Sequence, residues 1–534
     1  MTIPLWFQKI FSQRSFLALV LVSAVSIVSP SRAALAAITL WQTPTSARSA
    51  PAPTKPATEA YYGVYLKGAK IGNVVIRRQD SAPTKAQPGG TVRLDTVLKM
   101  DLRVMGANAS VTSTSISLTD ARSGRPLTQF SQTEGAGRLS KTTVTYTDRG
   151  VSYTTRVGAN EKRGALQLKP GETFLLDTTA AARFKPQIGQ EIKGKVFVAE
   201  TLSFTDAMVT VTARETVEVS GQTVPAYKVV QTSASGGTTV SYLNEAGDLL
   251  RSDGPIGMQI RKEPKEAAFA APDASGPRPD LISLVAITPT GVPIPAPRAV
   301  TTARYSISGA TRPLPAPDAI QSAVVSASAG TTAGTVIVTV TTRPLPTSGA
   351  KRFVSPSEAP APLRLYLAST VYVPAESETF QSLARRILGT ETDSARSSAR
   401  IAAWVIQTVK PDPGIVAIRS ADDVLKDPRG VCRDFTTLFT AIARAAGIPT
   451  KQCVGVVFAD GRFLYHAWPE VWVGASGTGV GGDSLSAGWV ALEPTFGAPF
   501  ADATHIKLAE GEITDIARVA SDVGSYQINV LEVR

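Results

Sequence analysis

Cysteine and histidine are nearly missing from these 534 residues, which hold only Cys432, Cys453, His466 and His505. Two cysteines cannot build a disulfide framework, and two histidines exclude most histidine-rich metal sites. Charged residues are sparse at 18%, and the excess of 55 Lys and Arg over 43 Asp and Glu, a net +12, is spread thinly. No Lys/Arg block carries interleaved aromatics, so nucleic acid is not expected as a partner. Beyond residue 36 no apolar run reaches the roughly 20 residues needed to span a bilayer. The Gly/Ser-rich stretch 474–488 lacks the lysine of a phosphate loop and reads as a hairpin connection. No cofactor or metal is therefore expected.

What is present divides the chain. Lys9 and Arg14 precede the apolar run 15–29, and Ala34-Leu35-Ala36 supplies a small-residue cleavage site, so residues 1–36 read as a secretory signal. An uncleaved anchor is the alternative, and then the only expected contact with a membrane. Removal of this segment leaves a net charge of about +9, that of a solvated basic surface. The expected location is periplasm or cell surface. Residues 37–60, rich in Pro, Ala and Thr, read as a linker.

At 534 residues the chain exceeds the roughly 250–300 that one core serves. Short β-branched runs such as YYGVYL, KTTVTYTD and MVTVTARETVEV, separated by turn residues, predict an antiparallel β domain over 61–265. After the breaker-rich stretch 267–280, runs such as LISLVAIT, ARYSISG and GTVIVTVTT predict a smaller β sandwich over 281–365. Neither region shows a motif with chemistry in it. From residue 376 the period becomes helical, and three apolar stripes are followed by strands. Phe380, Leu383, Ala384, Ile387 and Leu388 form the first; Ile401, Trp404, Val405 and Thr408 the second; Phe435, Leu438, Phe439, Ile442 and Ala446 the third. The fold class is thus two all-β N-terminal domains followed by an α+β domain over 370–515, with 516–534 as an extension.

Cys432, in Arg429-Gly430-Val431-Cys432-Arg433-Asp434, falls at the start of the third helix. Free N–H groups and the positive end of the helix dipole favour a thiolate there. Arg433 adds positive charge, and Gly430 is expected to let the chain turn tightly into the helix. A thiolate that accepts an acyl group needs an imidazole base and a third group to hold its ring. His466 lies in the strand FLYHAWPE, where alternation places Leu464, His466 and Trp468 on one face. Glu493 ends the strand WVALEPT and is the candidate third member. Trp468 and Trp489 read as core aromatics and as candidates to line a cleft. Cys453 reads as a buried structural thiol, and His505, in a polar segment beyond the last of these strands, as a structural or surface residue.

GVCRDFTTLFTAIARAAGIPTK, FLYHAWPEVWV and GWVALEPTFG, in that order, resemble the bacterial transglutaminase-like superfamily across about 377–511. The resemblance implies a papain-like fold with Cys432, His466 and Glu493 as catalytic residues and a protein or peptide substrate, a cell-envelope component among the options. It also implies acyl transfer or hydrolysis through a Cys432 thioester. The family usually has Asp-Pro-Thr where this chain has Glu493-Pro494-Thr495, so the orienting bond to His466 is expected to be displaced. The competing reading is an envelope scaffold or binding module on the same fold.

Overall fold

The structure is a computed structural model. It describes residues 57–534 except 105–106, 136–137, 176–185, 200–201, 234–236, 272–279, 311–312, 327–334, 416–417, 475–487, 513–518 and 520–521. The signal segment, nearly all of the linker and the interior of the Gly/Ser-rich connection lie outside the described residues. None of the described helices is long and apolar enough to cross a membrane.

Fourteen antiparallel strands form the first sheet. They are β1 (Thr58–Leu66), β2 (Ala69–Ser81), β3 (Thr91–Val104), β4 (Ala107–Asp120), β5 (Pro126–Gly135), β6 (Arg138–Tyr146) and β7 (Gly150–Val157). They continue with β8 (Asn160–Gln167), β9 (Glu191–Val198), β10 (Ser203–Val219), β11 (Gln222–Ser233), β12 (Gly237–Leu243), β13 (Leu249–Asp253) and β14 (Met258–Lys262). Sequence neighbours pair except β8 with β9, and β14 returns to pair with β1, which leaves β8 and β9 as the two edges. Those ends meet through aromatic side chains: Tyr153 of β7 and Phe197 of β9 have ring centroids 5.5 Å apart, and Tyr146 and Phe174 5.0 Å. Burial of such rings drives the sheet to curl on itself. Helix α1 (Lys265–Phe269) follows.

The stretch LISLVAIT departs from its expected strand: it opens with the short helix α2 (Leu281–Val285). The second sheet comprises β15 (Thr290–Gly291), β16 (Thr302–Ser308), β17 (Gln321–Ser326) and β18 (Thr335–Thr341), and its order is β15-β25-β16-β18-β17. Its member β25 (Gln527–Val533) comes from the end of the chain, so what reads in sequence as an extension is an inner strand here. A pairing over so long a separation leaves no local signal. This sheet is also not a body apart: Tyr305 donates to the Ala503 carbonyl at 2.9 Å, and Gln321 exchanges two hydrogen bonds with the Lys507 backbone at 2.7 and 2.8 Å.

Between these elements lie α3 (Ala361–Arg364), α4 (Glu378–Leu388), α5 (Ser394–Thr408), the two-residue strands β19 (Lys410–Pro411) and β20 (Arg429–Gly430), α6 (Ala421–Lys426) and α7 (Cys432–Ala445). Ser377 caps α4 and Asp393 caps α5, each accepting from a first-turn N–H;. Helix α7 was expected to bury one face, yet its residues 432–444 are buried all round, between the other helices and the sheet. Its threonines tolerate this because Thr436 and Thr440 donate to the carbonyls four residues back, at 2.9 and 2.7 Å;. Gly447 ends the helix at φ 79°, where an added Cβ would stand 1.8 Å from the Phe353 carbonyl.

The last sheet is antiparallel, in the order β23-β22-β21-β24: β21 (Thr450–Ala459), β22 (Arg462–Trp472), β23 (Trp489–Ala491) and β24 (Ile506–Gly511). It buries a charge cluster. Lys507 Nζ stands 2.6 Å from Asp318, 3.0 Å from Glu470 and 2.8 Å from Glu510, and Lys451 Nζ is 3.1 Å from Glu470 and 2.7 Å from Glu510. Burial alone would raise the Asp318 carboxyl, but the two lysines and its hydrogen bonds bring it down to about 2. Its share of stability is thus complete above the unfolded value of about 4 and is lost as pH falls towards 2. Lys507→Ala should leave Asp318, Glu470 and Glu510 with Lys451 as their one remaining lysine partner in the cluster and cost about 3–5 kcal/mol;. Urea unfolding at pH 7 checks this; a loss under about 1 kcal/mol would mean that the cluster is not a structural unit.

Candidate active site

Helix α7 starts on a buried ion pair. Arg419 Nε lies 3.1 Å from Asp434, and Asp434 accepts the Val431 N–H at 2.8 Å, fixing the residue before Cys432. Gly430 is needed for close approach more than for a turn: a Cβ there would stand 2.5 Å from the Asp434 carboxylate and 2.6 Å from the Arg419 guanidinium. The strand-to-helix step thus places Cys432, fully buried, at the first position of the helix.

His466 projects from β22 and is hydrogen-bonded to Cys432. Its Nε2 lies 2.7 Å from Glu493 Oε2, and an ionised carboxylate only accepts, so Nε2 carries a proton and Nδ1 is left for the sulfur. The longer glutamate does not displace this bond. Burial would lower the His466 pKa, but the Glu493 charge and then Cys432 push it up to about 9. Glu493 is itself buried, which would raise its carboxyl; His466 and His505 hold it well below the usual carboxylate range.

His505 was expected to be structural or at the surface, and the structure brings it into the cluster. It is buried, with Nε2 2.8 Å from the same Glu493 Oε2 and Nδ1 3.0 Å from the Asp502 carbonyl. Asp502 in turn pairs with Arg298 at 2.6 Å, and Arg298 lies 4.7 Å over the ring of Phe496. Phe496 stacks on His466 with centroids 5.0 Å apart and planes 7° apart, and its N–H donates to Glu493 Oε1 at 3.1 Å. In the sequence His505 reads only as a structural or surface residue, and no motif marks Asp502, Arg298 and Phe496 as its neighbours. The Asp502–His505 spacing was a faint signal, but Arg298 had none, because it comes from the second β region, where no chemistry was expected.

Of the two tryptophans offered for a cleft, Trp468 stands beside His466 at 6.1 Å but is buried. Trp489 is elsewhere: it is packed by Tyr366 at 5.1 Å and by Lys451 Nζ at 4.5 Å, so it is a core aromatic. Cys453 lies buried in β21, and both cysteines are free thiols. His466, Glu493 and His505 have the ligand types of a metal site. Their N···O separations of 2.7 and 2.8 Å are those of hydrogen bonds, however, and shorter than the about 3.3 Å between ligands of a tetrahedral ion with 2.0 Å bonds.

Residues 381–494 match the family model of the transglutaminase-like superfamily. The chain carries a transglutaminase-like domain. Its matched stretch runs from α4 through Glu493 and holds Cys432 and His466; His505 falls beyond it. A curated relative, an uncharacterized protein of Haemophilus influenzae, is 29% identical over 98 residues, 17% of this chain and 26% of that protein. The chain thus spans about a quarter of the length of the curated relative it matches. Among solved structures, a candidate cysteine protease of Cytophaga hutchinsonii gives a TM-score of 0.28 at 18% identity over 44% of this chain and 86% of that one. A β-barrel-like protein of unknown function from Brucella abortus gives 0.26 at 13% over 38% and 94%. Scores this low decide neither topology nor activity.

Proposed function

We propose that this is an exported protein whose transglutaminase-like domain is a cysteine acyltransferase or hydrolase acting on a peptide or glutamine carboxamide, with Cys432 as nucleophile, His466 as base and Glu493 as the group that orients it. One observation carries the reading: Cys432, His466 and Glu493 form an unbroken hydrogen-bonded series whose first member, Cys432, opens a helix. In the reaction, Cys432 Sγ forms a bond to a carboxamide carbonyl carbon. His466 Nδ1–H then protonates the departing nitrogen as the C–N bond breaks, leaving a thioester. Water or an amine attacks this acyl group after giving a proton back to Nδ1, and the thiolate leaves. The backbone N–H of Cys432 is placed at the helix start to donate to the oxyanion.

A scaffold without catalysis is the second reading, and the complete burial of Cys432 favours it. Incubation with a glutamine-containing peptide, with and without an amine donor, tests the proposal. Released ammonia together with an acyl adduct on the Cys432 peptide supports it. A limiting dose of a thiol-reactive probe sharpens the choice: labelling of Cys432 over Cys453 is expected, since burial pushes the Cys453 thiol well up. Equal sluggishness at both would favour the scaffold.

A further inference from the structure

The second histidine is bonded in a way that fixes its protonation. His505 has an acceptor at each ring nitrogen, the Glu493 carboxylate at Nε2 and the Asp502 carbonyl at Nδ1, with Asp502 Oδ1 also 3.4 Å from Nδ1. Neutral imidazole donates from one nitrogen only, so both contacts are satisfied only when the ring carries two protons. Burial would lower its pKa, but Asp502 and then Glu493 push it up to about 9.

Charges in the cluster then balance in pairs: Arg298 with Asp502 and His505 with Glu493. The Cys432 and His466 pair can therefore ionise together without adding net charge to a buried site. Geometry gives the same residue a second task. A glutamate side chain has one more rotatable bond than an aspartate, and Glu493 is held by three donors, the Nε2 atoms of His466 and His505 and the Phe496 N–H.

Resting on the functional reading above, we propose that His505, held as an imidazolium by Asp502, is a positioning residue. It locks the longer Glu493 side chain in place and sets the pH range over which the Cys432–His466 pair is ionised. The other charged groups nearby are Arg433 next to Cys432 in the chain with the Arg419–Asp434 pair beside it, and Arg343, Glu470 and Lys507, which line a small cavity with His505.

With only two histidines in the sequence, the protein labelled with 15N-histidine gives a direct test. At pH 7.5 His505 should show two protonated ring nitrogens. His505→Gln keeps a donor for Glu493 but removes the positive charge whose ring centroid is 5.6 Å from that of His466. The His466 midpoint should then rise by about one unit, the scale for a charge at such a distance, and both limbs of the Cys432 alkylation profile should move up with it. Asp502→Asn, which leaves the backbone carbonyl in place, should lower the His505 midpoint and serves if His505→Gln does not fold. A singly protonated His505 at pH 7.5, or a His466 midpoint unmoved by His505→Gln, overturns the proposal. If instead the histidine spectra behave as stated while Cys432 of the wild type shows no enhanced alkylation at any pH, the enzymatic reading fails, and the part of this proposal that concerns reactivity fails with it.

Discussion

Cys432→Ala should abolish acyl transfer and hydrolysis altogether while leaving the fold intact. The thiol is at the first position of a helix buried on every side, so alanine leaves only a small void, worth about 1 kcal/mol, and the melting temperature should fall by a few degrees at most. Mass spectrometry after incubation with a glutamine peptide should find the acyl adduct on wild-type Cys432 and none on the variant. Residual turnover in a folded variant would move the nucleophile elsewhere. If the variant unfolds while the wild type is inert, Cys432 is a packing residue and the scaffold reading holds.

The parts of this site that could be read from the sequence are those with local signatures. Cys432 follows a glycine and opens a stripe of apolar residues that ends at Gly447; His466 lies in an alternating strand; Glu493 precedes Pro-Thr. Each is fixed by periodicity and turn chemistry within a few residues of itself. Arg298, Asp502 and His505 could not be found that way. Arg298 and Asp502 come together through packing of the second sheet against the region of β24, which local pattern does not encode. The same holds for β25, whose partner β16 lies at the other end of that region, and for Lys451 and Lys507. Lysine is almost never fully buried unless paired, and these two are buried because carboxylates from β22, β24 and the segment before β17 meet them. The helix α2 was misread for a related reason: a short apolar run fits a strand and a buried helical turn equally well.

Glu493 separates the two functional readings most sharply. Glu493→Gln removes the charge and leaves one acceptor oxygen where the carboxylate has two. That oxygen can face the two histidine donors only if the amide NH2 is turned towards the Phe496 N–H, a pairing of donors. The thiolate–imidazolium pair should lose about 1–4 kcal/mol of support, the range for one partner of a charged hydrogen-bond network. At about 1.4 kcal/mol per decade, that is a fall of roughly 5- to 1,000-fold in the Cys432 alkylation rate near pH 7. Stability follows the same sign. A carboxyl held below its unfolded value contributes fully above about pH 4.3 and loses its share as pH falls, so at neutral pH the variant should lack that share. Family resemblance alone would make Glu493→Asp harmless or even restorative. The structure implies the opposite, because shortening by one C–C bond, about 1.5 Å, withdraws the acceptor from histidines now at 2.7 and 2.8 Å. Aspartate should therefore be slower than glutamate, though faster than glutamine because the charge remains. Alkylation rates against pH for wild type and both variants, with melting temperatures as the folding control, decide the matter. Identical curves for all three would remove Glu493 from the site, and the scaffold would then be the better account of this domain.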